Sequence, residues 1–519
     1  MSEKSVLPDS AGENPPNQVA LGQTAGSGFS WMISNTFFGK AFSFAAQIVL
    51  GTILLDEQFG IYVIALSVAS FVRVFRDGGV QDVLVKRGDT YFQEFAGPAF
   101  WLATSFSLGA SGILASISPV VAKLYGDPRL IPLLLIIAGD VLIRGLGTVL
   151  NAKLRIDLQF RTLAKIGMAS AAIRYCGAIV LALLGFGALS FVIPVLVVAL
   201  FEFLAMYAAT RITPWLKKAR FHTWPDFLGD SLWITLTALF HTLALNGPYL
   251  VLSLLVSKAV VGQYFFGYQL TSQFIRLMGF SVQQVLFPVM SRMADDSSRH
   301  TKALYRVYRV LLLTIAPVSI LLGIIIEPLE LLIWGRKWMA AVPLMQIFAI
   351  TAPLRIFSTI AFASLTSRGL FRQTALLTLV QAVLLMSSAW FAVWLFGEDL
   401  TKIALVTATV QGLFSYVMPV VSLRSVGIQV WTFTSSVVPA LFFALVATGC
   451  TVFIGNLLPV EASPIVQILL QGCSFVAIYT ILTRLFLSSH FIDLLNVAPN
   501  RIRKLLSPLL GLKSDRNEI

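Results

Sequence analysis

Apolar runs follow one another along the chain at 30–54, 59–82, 94–121, 130–151, 164–185, 187–211, 228–256, 260–290, 304–326, 340–366, 373–396, 400–423, 429–454 and 462–488. An α-helix needs about 20 mostly apolar residues to cross the hydrocarbon of a bilayer. The pattern therefore predicts an all-α polytopic membrane protein with about 14 transmembrane helices. The stretches between runs are short and leave no room for a sizeable soluble domain. Residues 1–28 are polar and rich in Pro, Gly and Ser, which predicts a disordered cytoplasmic tail. They hold no apolar core behind a basic start, so they are not a signal peptide. Near the other end, "FIDLLNVAPNRIRKLLSPLL" (491–510) mixes apolar residues with Arg501, Arg503 and Lys504. It reads as a topology anchor in preference to an interfacial helix that recognises anionic lipid.

Composition agrees with the pattern. The chain is 57% hydrophobic and 12% charged, with mean hydropathy +0.82, against about 25% charged residues in soluble domains. Connections after even-numbered runs, together with the two tails, carry 26 of the Lys and Arg residues, and connections after odd-numbered runs carry six. The positive-inside rule then puts both termini in the cytoplasm, and an even number of spans requires the same. This asymmetry accounts for the net charge of +13, and no soluble basic domain is present that would bind nucleic acid. Cys176, Cys450 and Cys473 lie in apolar runs without metal-type spacing and read as reduced, packed thiols.

The chain also repeats itself. "FVRVFRDGGVQDVLV" (71–85) parallels "FIRLMGFSVQQVLFP" (274–288), with Arg73 and Arg276 in matching places. "LLDEQFGIY" (54–62) parallels "VSKAVVGQY" (256–264), aligning Gly60 with Gly262 and Tyr62 with Tyr264. At a shift of 211, Phe160-Arg161 falls on Phe371-Arg372 and Arg144 falls on Arg355. The reading is two copies of one six-span unit, in parallel orientation about an axis along the membrane normal. The expected division is a tail at 1–28, an N-lobe at 29–211, a C-lobe at 212–423, two extra spans at 424–488 and a basic cytoplasmic tail at 489–519. The axis would set Arg73 opposite Arg276, and Arg144 opposite Arg355, on facing walls of one cavity between the lobes.

With the basic residues near span ends counted among the connections and tails, six remain inside the spans: Lys40, Arg73, Arg144, Arg174, Arg276 and Arg355. Only two acids, Asp140 and Glu202, lie clearly inside them. A charge at mid-bilayer costs about 2.5–3.5 kcal/mol on insertion scales and more in simulations, so such residues pair with one another or serve function. Asp140 and Arg144 stand at i,i+4 and are expected to pair. Arg174 and Glu202 lie at matched depths on successive spans, and a salt bridge between them is expected. Arg73 has Asp77 one turn on as partner, or reaches the interface. Lys40, Arg276 and Arg355 have no evident acid partner in the sequence, and they lead the candidates for a substrate cavity with Arg73, Arg144 and Gln273. Gln269, Gln273, Gln283 and Gln284 keep polar company with Arg276, as Asn35 and Gln47 do with Lys40.

No G-x-x-x-x-G-K-[ST] loop, HExxH, CxxC or GxSxG occurs in the chain. ATP-driven work and hydrolytic chemistry are not indicated, and transport remains as the broad activity. At this point the chain resembles a known family. "FGIY" (59–62), "FRDGG" (75–79), "KLRIDLQFRTLA" (153–164), "GFGALS" (185–190) and "EPLELLIWGRKWMAAVPLMQI" (327–347) are similar to the polysaccharide-biosynthesis branch of the MOP superfamily. That superfamily comprises multidrug, oligosaccharidyl-lipid and polysaccharide exporters, and the branch contains O-antigen and exopolysaccharide flippases. The resemblance spans roughly residues 28–488.

It implies two six-helix lobes plus two C-terminal helices, and no enzyme activity. It implies flipping of a polyprenyl-diphosphate-linked oligosaccharide across the bacterial inner membrane by alternating access. The diphosphate would meet Arg276, Lys40, Arg73 and Arg355 through charge-assisted hydrogen bonds. No cofactor is implied, and coupling to H+ or Na+ is left open. Membrane lipids, a polysaccharide polymerase and glycosyltransferases would be the partners, with no nucleic acid. Two alternatives stay open. One is a cation-coupled multidrug or small-molecule antiporter, although the first span offers Lys40 and no acid. The other is a non-transporting scaffold of a polysaccharide assembly complex.

Overall fold

A computed structural model of the chain describes residues 17–219, 224–273, 297–424, 429–456 and 463–487. The regular structure among the described residues is entirely helical. The first lobe runs α1 (Asn17–Ile53), α2 (Asp56–Val74), α3 (Val80–Leu124), α4 (Leu130–Leu146), α5 (Thr148–Ile156), α6 (Phe160–Leu183) and α7 (Leu189–Thr210). The second runs α8 (Trp224–Leu255), α9 (258–273), α10 (Ser297–Trp334), α11 (Val342–Ser367), α12 (Phe371–Phe396) and α13 (Leu400–Leu423). Two more helices, α14 (Val430–Asn456) and α15 (Pro464–Phe486), pack on α10. Phe475 and Tyr479 of α15 meet Ile320 and the small Ala444 and Ala447 there.

Twelve of the described helices are long and apolar enough to cross a membrane, and α4 with α5, bent by 43° between them, makes a thirteenth span. The α9 segment opens the run at 260–290, whose remainder lies outside the described residues. Large apolar side chains such as Leu108, Ile113, Trp394, Phe453 and Leu485 face outward on these helices. A soluble protein does not expose so much apolar surface, and here it is the lipid-facing girdle. The chain is a multi-pass membrane protein.

Three expectations need correction. Residues 17–28 begin α1 rather than belonging to a tail; Pro15 and Pro16 stand just before Asn17, and no proline interrupts the helix after them. The second run stops at Val74 and not at 82, because Gly78 and Gly79 adopt φ of +58° and +77° and turn the chain. The segment that follows, 80–87, buries Val80, Val83 and Leu84 and exposes Lys86 and Arg87. It breaks from the α3 span at Gly88, whose φ is +80°. The three cysteines are exposed on their helices rather than packed.

The lobes meet most closely where α2 crosses α9. A β-carbon on Gly60 would overlap the carbonyl oxygen of Lys258, and one on Gly262 would overlap that of Asp56. Each glycine meets the residue four before its counterpart, which is the signature of a twofold relation between the copies. Around this crossing one end of the molecule is shut. Trp338 Nε1 donates to Gly51 O at 3.0 Å, Trp334 Nε1 to Ile48 O at 3.1 Å, and Lys337 Nζ to Thr52 O at 2.9 Å. Phe266 stacks on Trp338 with ring centroids 3.9 Å apart, and Phe59 stands edge-on to both. Asp127, in the connection between α3 and α4, accepts from Arg129 of its own lobe and from Lys258 of the other at 2.7 Å. Burial alone would raise the Asp127 carboxyl, but the hydrogen bonds from Arg129 and Lys258 outweigh it and hold the pKa at about 2.

Gly60→Ala is expected to part the lobes at this end by about 1.5–2 Å, the movement that restores an ordinary van der Waals distance. Spin labels at the exposed Leu55 and Arg336 will report it as a longer distance distribution. The Asp127 contribution is complete above about pH 4, the ordinary carboxylate range, and is lost as pH falls toward about 2. Thermal unfolding in detergent will therefore show the parent losing its advantage over Asp127→Asn between about pH 4 and about pH 2.

Candidate substrate site

Away from the shut end, the N-lobe holds a cavity of about 500 Å³ between α1, α2, α4, α6 and α7. Five cationic side chains line it: Lys40, Arg73, Arg76, Arg144 and Arg174. Two carboxylates, Asp140 and Glu202, oppose them, so the wall carries three excess positive charges at neutral pH. Asn35, Thr36, Ser170 and Tyr175 add neutral polar groups.

The charges on one side form a chain across three helices. Arg73 Nη2 on α2 donates to Asp140 Oδ2 on α4 at 3.0 Å. Arg144 Nε, one turn along α4, donates to Asp140 Oδ1 at 2.6 Å. Arg144 Nη1 then donates to Glu202 on α7. Asp140 is 2% exposed, and the arginines that flank it are about 30% exposed toward the cavity. A buried carboxylate held by two guanidinium forks is a satisfied anion.

Sequence-based expectations fare unevenly here. Asp140 and Arg144 pair at i,i+4. Glu202, however, is taken by Arg144 and not by Arg174. Arg174 makes no ion pair among the described residues; its guanidinium lies 5.5 Å from the ring centre of Tyr175. Arg73 turns to Asp140 rather than to Asp77. Lys40 lines the cavity beside Asn35, Thr36 and Gly39. Arg76, placed in a connection by the apolar pattern, lines it too; its i,i+3 spacing from Arg73 was the signal. Arg276 lies outside the described residues.

Arg355 does not face Arg144 across one cavity. It lies inside the C-lobe, donating to Ser272 Oγ at 3.1 Å and standing 5.0 Å from the ring centre of Tyr268. The small pocket there is bounded by Tyr249, Tyr264, Phe348 and Thr407. Of the expected set of Arg276, Lys40, Arg73 and Arg355, the first-lobe cavity gathers Lys40 and Arg73, Arg355 lies apart in the C-lobe, and Arg276 is outside the described residues.

A second chamber adjoins that cavity. Arg174 and Tyr175 line both. The chamber, about 110 Å³, lies on the seam between lobes, with Ser43 and Gln47 on α1 and Gln269 and Gln273 on α9. Gln273 Nε2 donates to Gln47 Oε1, and Gln47 Nε2 donates to the Phe266 carbonyl at 3.2 Å. Among the described residues no group of His, Cys, Asp and Glu is arranged to hold a metal.

Residues 49–343 match the family of polysaccharide biosynthesis proteins, over half of the chain. The chain belongs to that family. Among curated members it is similar to the succinoglycan biosynthesis transport protein ExoT of Rhizobium meliloti, at 26% identity over 65% of this chain and 67% of that protein. It is also similar to the lipopolysaccharide biosynthesis protein WzxC of Escherichia coli, at 21% identity over 65% and 68%. The fold of this family member matches the solved structure of the lipid II flippase MurJ in an inward closed conformation. The TM-score is 0.68, with 15% identity over 87% of this chain and 99% of that one. The family membership and this fold agree with the architecture that the resemblance implied.

Asp140→Asn is expected to lower folding stability by about 3–5 kcal/mol, because it leaves two guanidinium groups without their carboxylate. Thermal unfolding of the purified protein will show it, with a smaller loss for Glu202→Gln, which neutralises only one arginine.

Proposed function

We propose that this protein is a flippase that carries a polyprenyl-diphosphate-linked oligosaccharide across the bacterial inner membrane for cell-surface polysaccharide synthesis. The observation that carries the reading is the net-positive cavity of about 500 Å³ inside an otherwise apolar lobe. A diphosphate is the ligand whose charge fits three surplus cations, and arginine forks suit its oxygens. The similarity to ExoT, a succinoglycan biosynthesis transport protein, and to WzxC, a lipopolysaccharide biosynthesis protein, supports it. No catalytic step is required; the work is binding and a change of access.

Lys40 and Arg174 are the contacts for the diphosphate, with Arg73, Arg76 and Arg144 supplying field from the opposite wall. The polyprenyl tail stays in lipid. With both termini cytoplasmic, the shut end is periplasmic and the cationic cavity serves the cytoplasmic leaflet. The lobes then rock about the Gly60–Gly262 crossing. Outward passage of negative charge is favoured by an inside-negative potential, by about 2.3 kcal/mol per charge per 100 mV. A polysaccharide polymerase and glycosyltransferases would act before and after this step. A proton- or sodium-coupled antiporter is the rival reading. It is weakened because Asp140 and Glu202 are both held by arginine.

The test is flipping of a fluorescent polyprenyl-diphosphate oligosaccharide by the purified protein in vesicles. Arg174→Ala and Lys40→Ala are each expected to reduce it about tenfold or more. That is the loss of one charge-assisted hydrogen bond of about 1.5–3 kcal/mol. Glu202→Gln is expected to retain most of it. The reverse pattern, with Glu202→Gln inactive and both cation variants unaffected, would overturn the diphosphate reading in favour of the antiporter.

A further inference from the structure

The seam chamber is built differently from the cationic cavity beside it. Among the described residues its polar lining is neutral apart from Arg174, which it shares with that cavity. Amide side chains come from both lobes: Gln47 from the first, Gln269 and Gln273 from the second. Gln269 and Gln273 stand at i,i+4 and so present one face of α9. Aromatic rings close the rest, Tyr62, Phe191 and Phe265 among them, and Tyr62 stacks on Phe191 with centroids 4.2 Å apart.

One atom in this wall is unsatisfied. Gln273 is 8% exposed, and its Nε2 is engaged with Gln47. Its Oε1 is buried and has no hydrogen-bond partner among the described residues. Buried amide oxygens are seldom left so, and each orphan asks for a donor. The missing group must donate a hydrogen bond, be neutral, and offer a face to aromatic rings. A chamber of about 110 Å³ holds several waters, the scale of one ring and not of a folded oligosaccharide.

We propose that this chamber is a monosaccharide subsite that takes the sugar ring attached directly to the diphosphate. The proposal rests on the flippase reading above, since the shared Arg174–Tyr175 wall is what puts ring and diphosphate side by side. A ring hydroxyl donates to Gln273 Oε1, and further hydroxyls exchange hydrogen bonds with Gln47 and Gln269. The C–H face of the ring lies on the aromatic side. Because the Gln273–Gln47 bond joins the lobes, a sugar that inserts between these amides replaces an inter-lobe bond with bonds to itself. The presence of a sugar is thereby sensed at the seam, next to the aromatic packing that keeps the far end shut. A bare polyprenyl diphosphate fills the cationic cavity and leaves the seam bond intact.

Binding to the full-length protein in nanodiscs separates the two readings. The probes are a polyprenyl diphosphate without sugar and the same lipid carrying one glucose, galactose or N-acetylglucosamine. The parent is expected to bind at least one glycosylated lipid about fivefold or more tighter than the bare diphosphate. Gln273→Leu is expected to bring that affinity down to that of the bare lipid, and Gln269→Leu, a second variant on the same wall, to reduce it in the same direction. Arg174→Ala weakens both kinds of lipid. If no glycosylated lipid gains over the bare one in the parent, or if both glutamine variants keep the gain, the sugar subsite is wrong while the diphosphate site stands. If neither kind of lipid binds the parent, the flippase reading falls and takes the subsite with it.

Discussion

The expense of keeping charge inside a membrane governs the first lobe. Three of its helices are joined through one chain of groups, from Arg73 on α2 through Asp140 and Arg144 on α4 to Glu202 on α7. Asp140 sits at the centre, almost fully buried, with a guanidinium at each oxygen. Such a network holds only when every member is satisfied. It fixes three helices relative to one another and makes a rigid wall. The facing wall, on α1 and α6, contributes Lys40 and Arg174. The cavity's positive character is therefore the excess of five lining cations over two lining carboxylates.

The second lobe has the same backbone plan with the charges rearranged. At the shift of 211 that lays Arg144 on Arg355, Asp140 falls on Thr351. Without a carboxylate one turn away, the Arg355 guanidinium turns to the Ser272 hydroxyl and the Tyr268 ring. Backbone features persist where side chains diverge. Gly60 and Gly262 cross symmetrically, and Gly126 and Gly335 share a left-handed conformation at equivalent turns. Duplication has thus preserved the glycine crossing and the turn, while the first copy carries a cluster of ion pairs around its cavity.

That division explains what could be read in the chain beforehand. Span positions and the two lobes follow from one-dimensional regularities, so Gly60 and Gly262 could be aligned before any coordinates were known. Partners across helices could not. Arg73 and Asp140 are 67 residues apart, and no spacing rule connects them. Depth matching suggested Arg174 for Glu202, but depth is one coordinate, and rotation about each helix axis decides which arginine is reached. Arg144 already points at α7 through its bond to Asp140, so it takes Glu202. Arg76 was counted with the connection after the second run; the helix does end before it, at Val74, yet the turn at Gly78 and Gly79 leaves Arg76 on the cavity. A cavity between mated arginines was the symmetric expectation. Symmetry of the backbone did not extend to the charges.

The shut end sets the scale of free energy that a substrate must overcome. Among the described residues five hydrogen bonds cross the seam there, from Trp334, Trp338, Lys337, Lys258 and Gln263 to groups of the first lobe. At about 0.5–1.5 kcal/mol each they amount to about 2.5–7.5 kcal/mol, and the aromatic packing of Phe59, Phe266 and Trp338 adds to this. Moving a two-state equilibrium from one extreme to the other requires differential binding of about 5.5 kcal/mol. A diphosphate that gains two charge-assisted hydrogen bonds in only one of the two states supplies about 3–6 kcal/mol. The closure is therefore strong enough to keep the empty protein shut at this end and weak enough for one anionic headgroup to release. A neutral ligand without those bonds falls short of that range, which makes the surplus of positive charge in the first lobe a requirement of the cycle as well as a means of binding.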